Sequence, residues 1–330
     1  MKKGLSFIIV TVLFLSTCLF FVSIKSNNEN NSDKIKIVAT LFPQYDFAKQ
    51  IGGDKVEVSL LLTPGTETHT YEPTPQDIIR INNSDLFVYT GKYMEPWSER
   101  IAMSIDSNTK ILDASKNINL IKSDHDEDEH EDSEAHEEDV DEHEEEQHHE
   151  HEHVHEFDPH IWLNPQNAVQ MVKNITEELC KISPENAEYF NNNANNYIKQ
   201  IEELDSEAEN IIKESGKNKV AFGGAFAYAY FIDRYKLEYV SAYDSCGEDT
   251  EPSVANVKKV IDYMNQNSLK VIFYQELSSG RIADSIAKET NSKKLVFHTV
   301  HNASQDEINR GETYVSLMRK NIENLKEALK

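Results

Sequence analysis

The chain has 330 residues, with 58 Asp and Glu against 33 Lys and Arg and a formal net charge of −25. Residues 124–156 hold 19 of those acids and nine of the 13 histidines, with no Lys or Arg, and the rest of the chain carries 39 acidic against 33 basic residues, a net of −6. No cationic cluster remains to displace counterions from phosphates, which excludes a nucleic-acid partner and a polybasic membrane-surface role, and 11 Gly and 3 Cys exclude collagen-like and disulfide-scaffold classes.

Lys2 and Lys3 precede an apolar run over residues 5–24 that only Ser and Thr interrupt. A basic start followed by an apolar stretch is the pattern of a secretory signal, and about 20 apolar residues also suffice to span a bilayer. Cys18 follows Leu15-Ser16-Thr17, which resembles a bacterial lipoprotein cleavage box. Residues 1–25 therefore read as a signal peptide or membrane anchor and 26–33 as a polar tether. Lipidation at Cys18, an uncleaved anchor and simple cleavage all put the mature domain on the extracytoplasmic face. Cys180 and Cys246 could pair in that compartment, but Cys180 falls on an apolar helical stripe that favours a buried free thiol.

Short β-branched runs at 34–40, 56–62, 85–89 and 110–112 alternate with helical patterns at 44–51, 75–82 and 95–104. Strand patterns recur at 219–222, 239–241, 271–274 and 294–298, with helices between them and a last helix over 306–329. Strands separated by helices predict α/β architecture, with a parallel-type sheet flanked by helices in each of two lobes. Between the halves, Ser183 is a candidate N-cap and Pro184 suits a first helical turn. Ala187, Phe190, Ala194, Tyr197, Ile201, Leu204, Ala208 and Ile211 then repeat at alternating spacings of three and four, a sustained helical stripe. Roughly 30 residues at about 1.5 Å each span about 45 Å. Such a helix can back both lobes and limit hinge motion between them; a coiled-coil dimer is the competing use of the stripe. The expected organisation is an N-terminal lobe over 34–182 containing the insert 123–156, a linking helix over 183–215 and a C-terminal lobe over 216–330.

Four histidines lie outside the insert. His69 follows a strand in a Pro-, Thr- and Gly-rich loop, His160 precedes a helix in Asp158-Pro159-His160-Ile161-Trp162, and His298 and His301 close the last strand. Ligands of α/β sheets bind beyond the carboxyl ends of strands, and imidazole ligates zinc and related ions. An isolated histidine is more often a core or surface residue, but several at the appropriate ends of elements point to a metal.

The motifs Pro64-Gly65, His69, Glu72-Pro73-Thr74-Pro75-Gln76-Asp77, Asp85-Leu86-Phe87-Val88-Tyr89 and Glu95-Pro96-Trp97 continue with Asp158-Pro159-His160-Ile161-Trp162-Leu163-Asn164-Pro165, Glu251-Pro252-Ser253 and the segment from Asn321 to Leu329. Together they make the chain from about Lys34 onward similar to the metal-binding solute-binding proteins of zinc/manganese ABC transporters, in particular the zinc-uptake group. A charged His-rich insert before the second histidine motif is a mark of that group. The resemblance implies one metal held between two α/β lobes, with His69 and His160 as its first two ligands. The family's third ligand, a His in a Phe-His-x-Ala-Phe motif, is absent, because Phe222-Gly223-Gly224-Ala225-Phe226 has Gly223 in its place. The family's fourth position corresponds best to His298, and a shift of three residues substitutes His301. Glu67, Glu251 or water is then a possible fourth ligand, with Glu251 also able to orient an imidazole.

Three neutral imidazoles and an oxygen suit tetrahedral Zn²⁺, whereas Mn²⁺ prefers more oxygen. Affinity is expected to fall steeply below about pH 6.5, near the imidazole pKa. The insert has almost no apolar residue and cannot offset its ordering entropy, so disorder is expected. His148, His149, His151, His153 and His155 suit low-affinity metal capture that raises the local concentration. The resulting expectation is a monomeric receptor, not an enzyme, that serves an ABC permease and its ATPase and touches the membrane only through its N-terminal anchor. A manganese-binding homologue, a zinc-dependent hydrolase with Glu251 as general base and a surface adhesion protein without a transporter are the alternatives. No nucleophile-elbow pattern supports the hydrolase, and the HExxH spellings at 149–153 and 151–155 fall in the acidic insert rather than on a predicted helix.

Overall fold

A computed structural model of the chain describes residues 34–65, 71–105, 108–123, 156–243 and 252–330. The leader 1–25, the tether 26–33, His69, Glu67, Glu251, Cys246 and the insert histidines, His148, His149, His151, His153 and His155 among them, lie outside the described residues. No helix among those residues is long and apolar enough to cross a membrane.

Every predicted strand run forms a strand. β1 (Ile35–Ala39), β2 (Val56–Leu60), β3 (Leu86–Tyr89) and β4 (Lys110–Asp113) make one sheet in the order β2-β1-β3-β4. β5 (Lys219–Phe222), β6 (Glu238–Ser241), β7 (Val271–Tyr274) and β8 (Lys293–Val296) make the other in the equivalent order β6-β5-β7-β8. The pairs β1–β3, β3–β4, β5–β6, β5–β7 and β7–β8 are parallel. Each sheet has its own apolar core: Val38, Leu61, Ile81, Phe87, Trp97 and Ile101 in the first, and Ala221, Val240, Val260, Met264, Ile272 and Ile286 in the second. In both sheets the first strand has a neighbour on each side, so the chain order reverses there, and the crevice outside the carboxyl ends at such a point is where α/β sheets bind ligands.

The helices of the first half are α1 (Phe42–Gly52), α2 (Pro75–Asn82) and α3 (Ser98–Ser104), followed by α4 (Pro165–Ile182). α3 begins three residues after the predicted start because the buried Glu95 carboxyl group is engaged by Thr40 and by the Thr90 amide, which keeps Glu95 in the turn. The linking helix α5 (Ala187–Ser215) is preceded by a 3₁₀ turn, Pro184–Asn186. Ser183 does not cap it, since its hydroxyl bonds the Glu185 carboxylate. Phe190, Ala194, Tyr197, Ile201, Leu204 and Ala208 are buried along α5. Helices α1, α4 and α10 (Tyr314–Ala328) cover this stripe from within the chain. Cys180 on α4 is a free, half-buried thiol near Asn191 rather than a fully buried one.

The second half adds α6 (Ala229–Tyr235), α7 (Val254–Gln266), α8 (Arg281–Thr290) and α9 (Gln305–Asn309) before α10. The single predicted helix over 306–329 is thus two. Ser304 with Glu307 and Thr313 with Ser316 form separate capping boxes, and Gly311 between them takes φ +72°, a left-handed turn that favours glycine. β8 ends at Val296, two residues before His298, so both C-terminal histidines occupy the loop beyond the strand.

Candidate metal centre

His160 is fully buried and opens a 3₁₀ turn, Ile161–Leu163, ahead of α4, whose first turn is capped by Asn164. Asp158 fixes its orientation by accepting from the His160 backbone amide at 2.8 Å and lying 3.1 Å from Nδ1. A carboxylate only accepts, so Nδ1 carries the proton and Nε2 keeps its lone pair. The tautomer follows from the hydrogen-bond network. The Trp162 indole donates to the Thr299 carbonyl at 2.8 Å and so ties this turn to the loop after β8.

In that loop Val300 has φ +62°, a strained conformation for a β-branched residue. The two histidines flanking the bend make different contacts. His298 Nδ1 accepts the Val300 amide at 2.8 Å, so in the neutral ring Nε2 is the protonated nitrogen. Nε2 lies 3.5 Å from Glu307, and Nδ1 lies 3.4 Å from Glu276. Burial works against the charged ring, but the Glu276 and Glu307 carboxylates outweigh it and raise the His298 pKa. The His298 interaction holds Glu307 down at about 2, with burial opposing. Asn321 clamps the His298 backbone, accepting from its amide and donating to its carbonyl at 2.6 and 2.7 Å.

His301, also buried, sits instead beside His160, with ring centroids 6.2 Å apart and planes at 50°. Two imidazoles on one zinc, with Zn–N near 2.0–2.1 Å, put their centroids about 5 Å apart at a tetrahedral angle, roughly 1 Å less than the separation of these two rings. His301 Nδ1 is 2.6 Å from the Thr299 hydroxyl, and its carbonyl accepts from the Phe42 amide at 3.1 Å at the start of α1.

The described segment that precedes Glu67 and His69 in sequence ends at Gly65 and is held next to His301, because Asn302 donates to the Thr63 carbonyl at 3.2 Å. The insert leaves and returns at one point. Lys122 and Phe157 form an antiparallel bridge, the Ser123 amide donates to Glu156 at 3.1 Å, and the Asp158 amide donates to Ile121 at 2.9 Å. Its return end is therefore adjacent to the carboxylate that orients His160. Glu251 would precede the Ser253 N-cap of α7. Among the described residues no group of three or more His, Cys, Asp or Glu side chains is arranged to hold a metal ion, so His160 and His301 are a pair there.

Gly223, the residue after β5, is closely packed. A Cβ on it would lie 2.9 Å from the Ala283 Cα, 3.0 Å from the Ala283 Cβ and 3.1 Å from the Ile272 side chain. A side chain at this position would require α8 to move. From sequence alone Asp158, Glu276 and Asn321 receive no positioning role, although Asp158 and Asn321 stand in the family-like motifs. Asp158 was within reach of such a reading, two residues before His160 in an Asp-Pro-His turn. Glu276 and Asn321 each meet the C-terminal loop from 23 residues away along the chain, and nothing local signals those contacts.

The family described as ZnuA, zinc-uptake complex component A, periplasmic, matches residues 37–328. The chain is 35% identical over 324 residues to the high-affinity zinc uptake system protein ZnuA of Bacillus subtilis (strain 168), covering 98% of this chain and 96% of that protein. It is 33% identical to the zinc-binding lipoprotein AdcA of Streptococcus pneumoniae, of which it spans 60% of the length while 96% of this chain is covered. The crystal structure of the Zn(II)-bound ZnuA-like domain of S. pneumoniae AdcA superposes with a TM-score of 0.72 at 28% identity, over 90% of this chain and 99% of that one. The sheet order, the long helix and a match over nearly all of the chain lead to one conclusion: this protein belongs to the ZnuA family of zinc-uptake components.

Proposed function

We propose that this protein is an extracytoplasmic receptor that captures one Zn²⁺ between its two lobes and delivers it to an ABC-type permease and its ATPase. His69, His160 and His301 would be the protein ligands, and Glu67, Glu251 or water the fourth. The observation that carries this reading is the buried His160–His301 pair, whose rings are 6.2 Å apart. His301 is preferred over His298 because the Val300 amide occupies His298 Nδ1 while its Nε2 faces Glu307. An imidazole-rich set suits zinc over manganese. The family is a binding component, not an enzyme. In this reading 34–182 and 216–330 are the lobes, 183–215 links them, and 1–33 supplies export and attachment, with Cys18 as the lipidation point. The protein acts as a monomer.

Zinc binding by two variants tests the choice of ligand. His301→Ala should lose the tight site, weakening affinity by 100-fold or more, whereas His298→Ala should retain one tight zinc. The reverse outcome in calorimetric titration would overturn the assignment.

A further inference from the structure

We infer that Glu276 and Thr299 form a proton-fixing relay that holds His301 in the tautomer able to bind a metal through Nε2. This inference rests on the proposed site. Both oxygens of Glu276 are engaged by one residue: Oε2 accepts the Thr299 amide at 2.7 Å, and Oε1 accepts the Thr299 hydroxyl. A threonine hydroxyl has one proton, and here it is committed to the carboxylate. Toward His301 Nδ1, 2.6 Å away, the same oxygen can therefore only accept. Nδ1 must carry the ring proton, which leaves the lone pair on Nε2.

The surroundings make this arrangement rigid. Thr299 is completely buried, the Glu276 side chain is 8% exposed, and the Thr299 carbonyl is held by the Trp162 indole. Glu276 is not free to orient His298 in the same way, because His298 Nδ1 already accepts the Val300 amide. The two histidines proposed to meet at zinc are thus set by carboxylates in two ways: Asp158 acts directly on His160, and Glu276 acts through a hydroxyl on His301. A relay of this kind also explains how a histidine can serve beyond the end of β8 when Gly223 supplies no ligand. Glu276 and Thr299 are positioning residues that need not touch the metal. Partners of this type are worth about 10–100-fold in metal affinity.

The test reads the ring directly, in metal-free protein, by long-range ¹H–¹⁵N correlation of the His301 imidazole, assigned by its loss in His301→Ala. The wild type should show a protonated Nδ1 and an unprotonated Nε2. Thr299→Val should mix the tautomers and weaken zinc about 10–100-fold, and Thr299→Ser should restore both. Glu276→Gln is a second and sharper variant. Its amide can donate to the Thr299 oxygen and turn the hydroxyl proton toward Nδ1, so the ring should shift to the Nε2–H form with a similar loss of affinity. A wild-type ring protonated at Nε2, or a tautomer and zinc affinity that neither variant changes, would overturn the relay. If His301→Ala abolishes tight zinc while the tautomer stays indifferent to both variants, only the relay fails. If His301→Ala keeps tight zinc, the site reading fails and the relay with it.

Discussion

Glu95 is a buried carboxyl where the first sheet reverses its strand order, held by the Thr40 hydroxyl at the end of β1 and the Thr90 amide at the end of β3. Burial pushes its pKa up to about 8, although both hydrogen bonds favour the charged form. The native state therefore retains a proton that the unfolded chain releases near pH 4.5. Stability from this group is fully present below about pH 4.5 and is lost as pH rises toward about 8. Glu95→Gln removes the titration while its amide oxygen can still accept the Thr90 amide and its NH2 group can donate to the Thr40 hydroxyl. Its melting temperature relative to wild type should accordingly be more favourable at pH 8 than at pH 5. An equal difference at both pH values would contradict the assignment. Individual residues were unevenly legible from sequence. His160 announces itself through Asp-Pro-His, in which the carboxylate that orients the ring is two residues away. The choice between His298 and His301 depends on Val300, whose left-handed backbone separates their environments, and on Glu276, which reaches Thr299 from a different strand end. Neither spacing nor residue type encodes those contacts.

Among the elements, the strands were the most legible, because short β-branched runs bounded by helical patterns leave little alternative, and the central strands β1, β3, β5 and β7 are mostly buried. Boundaries were less so. α3 starts late because Glu95 is engaged at the sheet, and the last helix divides at Gly311 because two capping boxes compete with one continuous stripe. The apolar stripe of α5 is the element-level feature with two possible uses, and its burial against α1, α4 and α10 assigns it to the chain's own core. The end of β5 makes a sharper prediction. A Cβ at Gly223 would meet backbone of α8 at 2.9 Å, which a side-chain rotation cannot relieve. Gly223→Ala should cost about 1–3 kcal/mol in urea unfolding by overpacking. Gly223→His should lose more stability and gain no zinc affinity. A Gly223→His variant with wild-type stability and tighter zinc would mean that the family's missing ligand can simply be put back.

For the whole molecule, the −25 net charge separates into a body at −6 and an insert carrying the remainder. Lys122 and Phe157 on either side of the insert form an isolated antiparallel bridge, so its removal keeps the two flanking segments in reach of each other. Deleting residues 124–155 should leave one tight zinc ion and remove the weaker binding in excess of it, as read by metal stoichiometry after dialysis. Loss of the tight ion together with the excess would refute that division of labour. The repeated strand order, the two separate cores and the helix linking them are the parts of the architecture that follow from alternation of strand and helix patterns. How the loops after β2 and β8 come to share a hydrogen bond between Asn302 and Thr63 is a tertiary fact with no counterpart in local sequence.

The central claim is that zinc is held by His160 and His301 from opposite halves of the chain, together with His69. X-ray absorption of the zinc-loaded protein tests it most directly. Three imidazole nitrogens at about 2.0–2.1 Å should appear with one oxygen. His301→Ala should reduce the imidazole count by one, and His298→Ala should leave it unchanged. A spectrum unaltered by His301→Ala, or a loss of imidazole scattering in His298→Ala instead, would contradict the account.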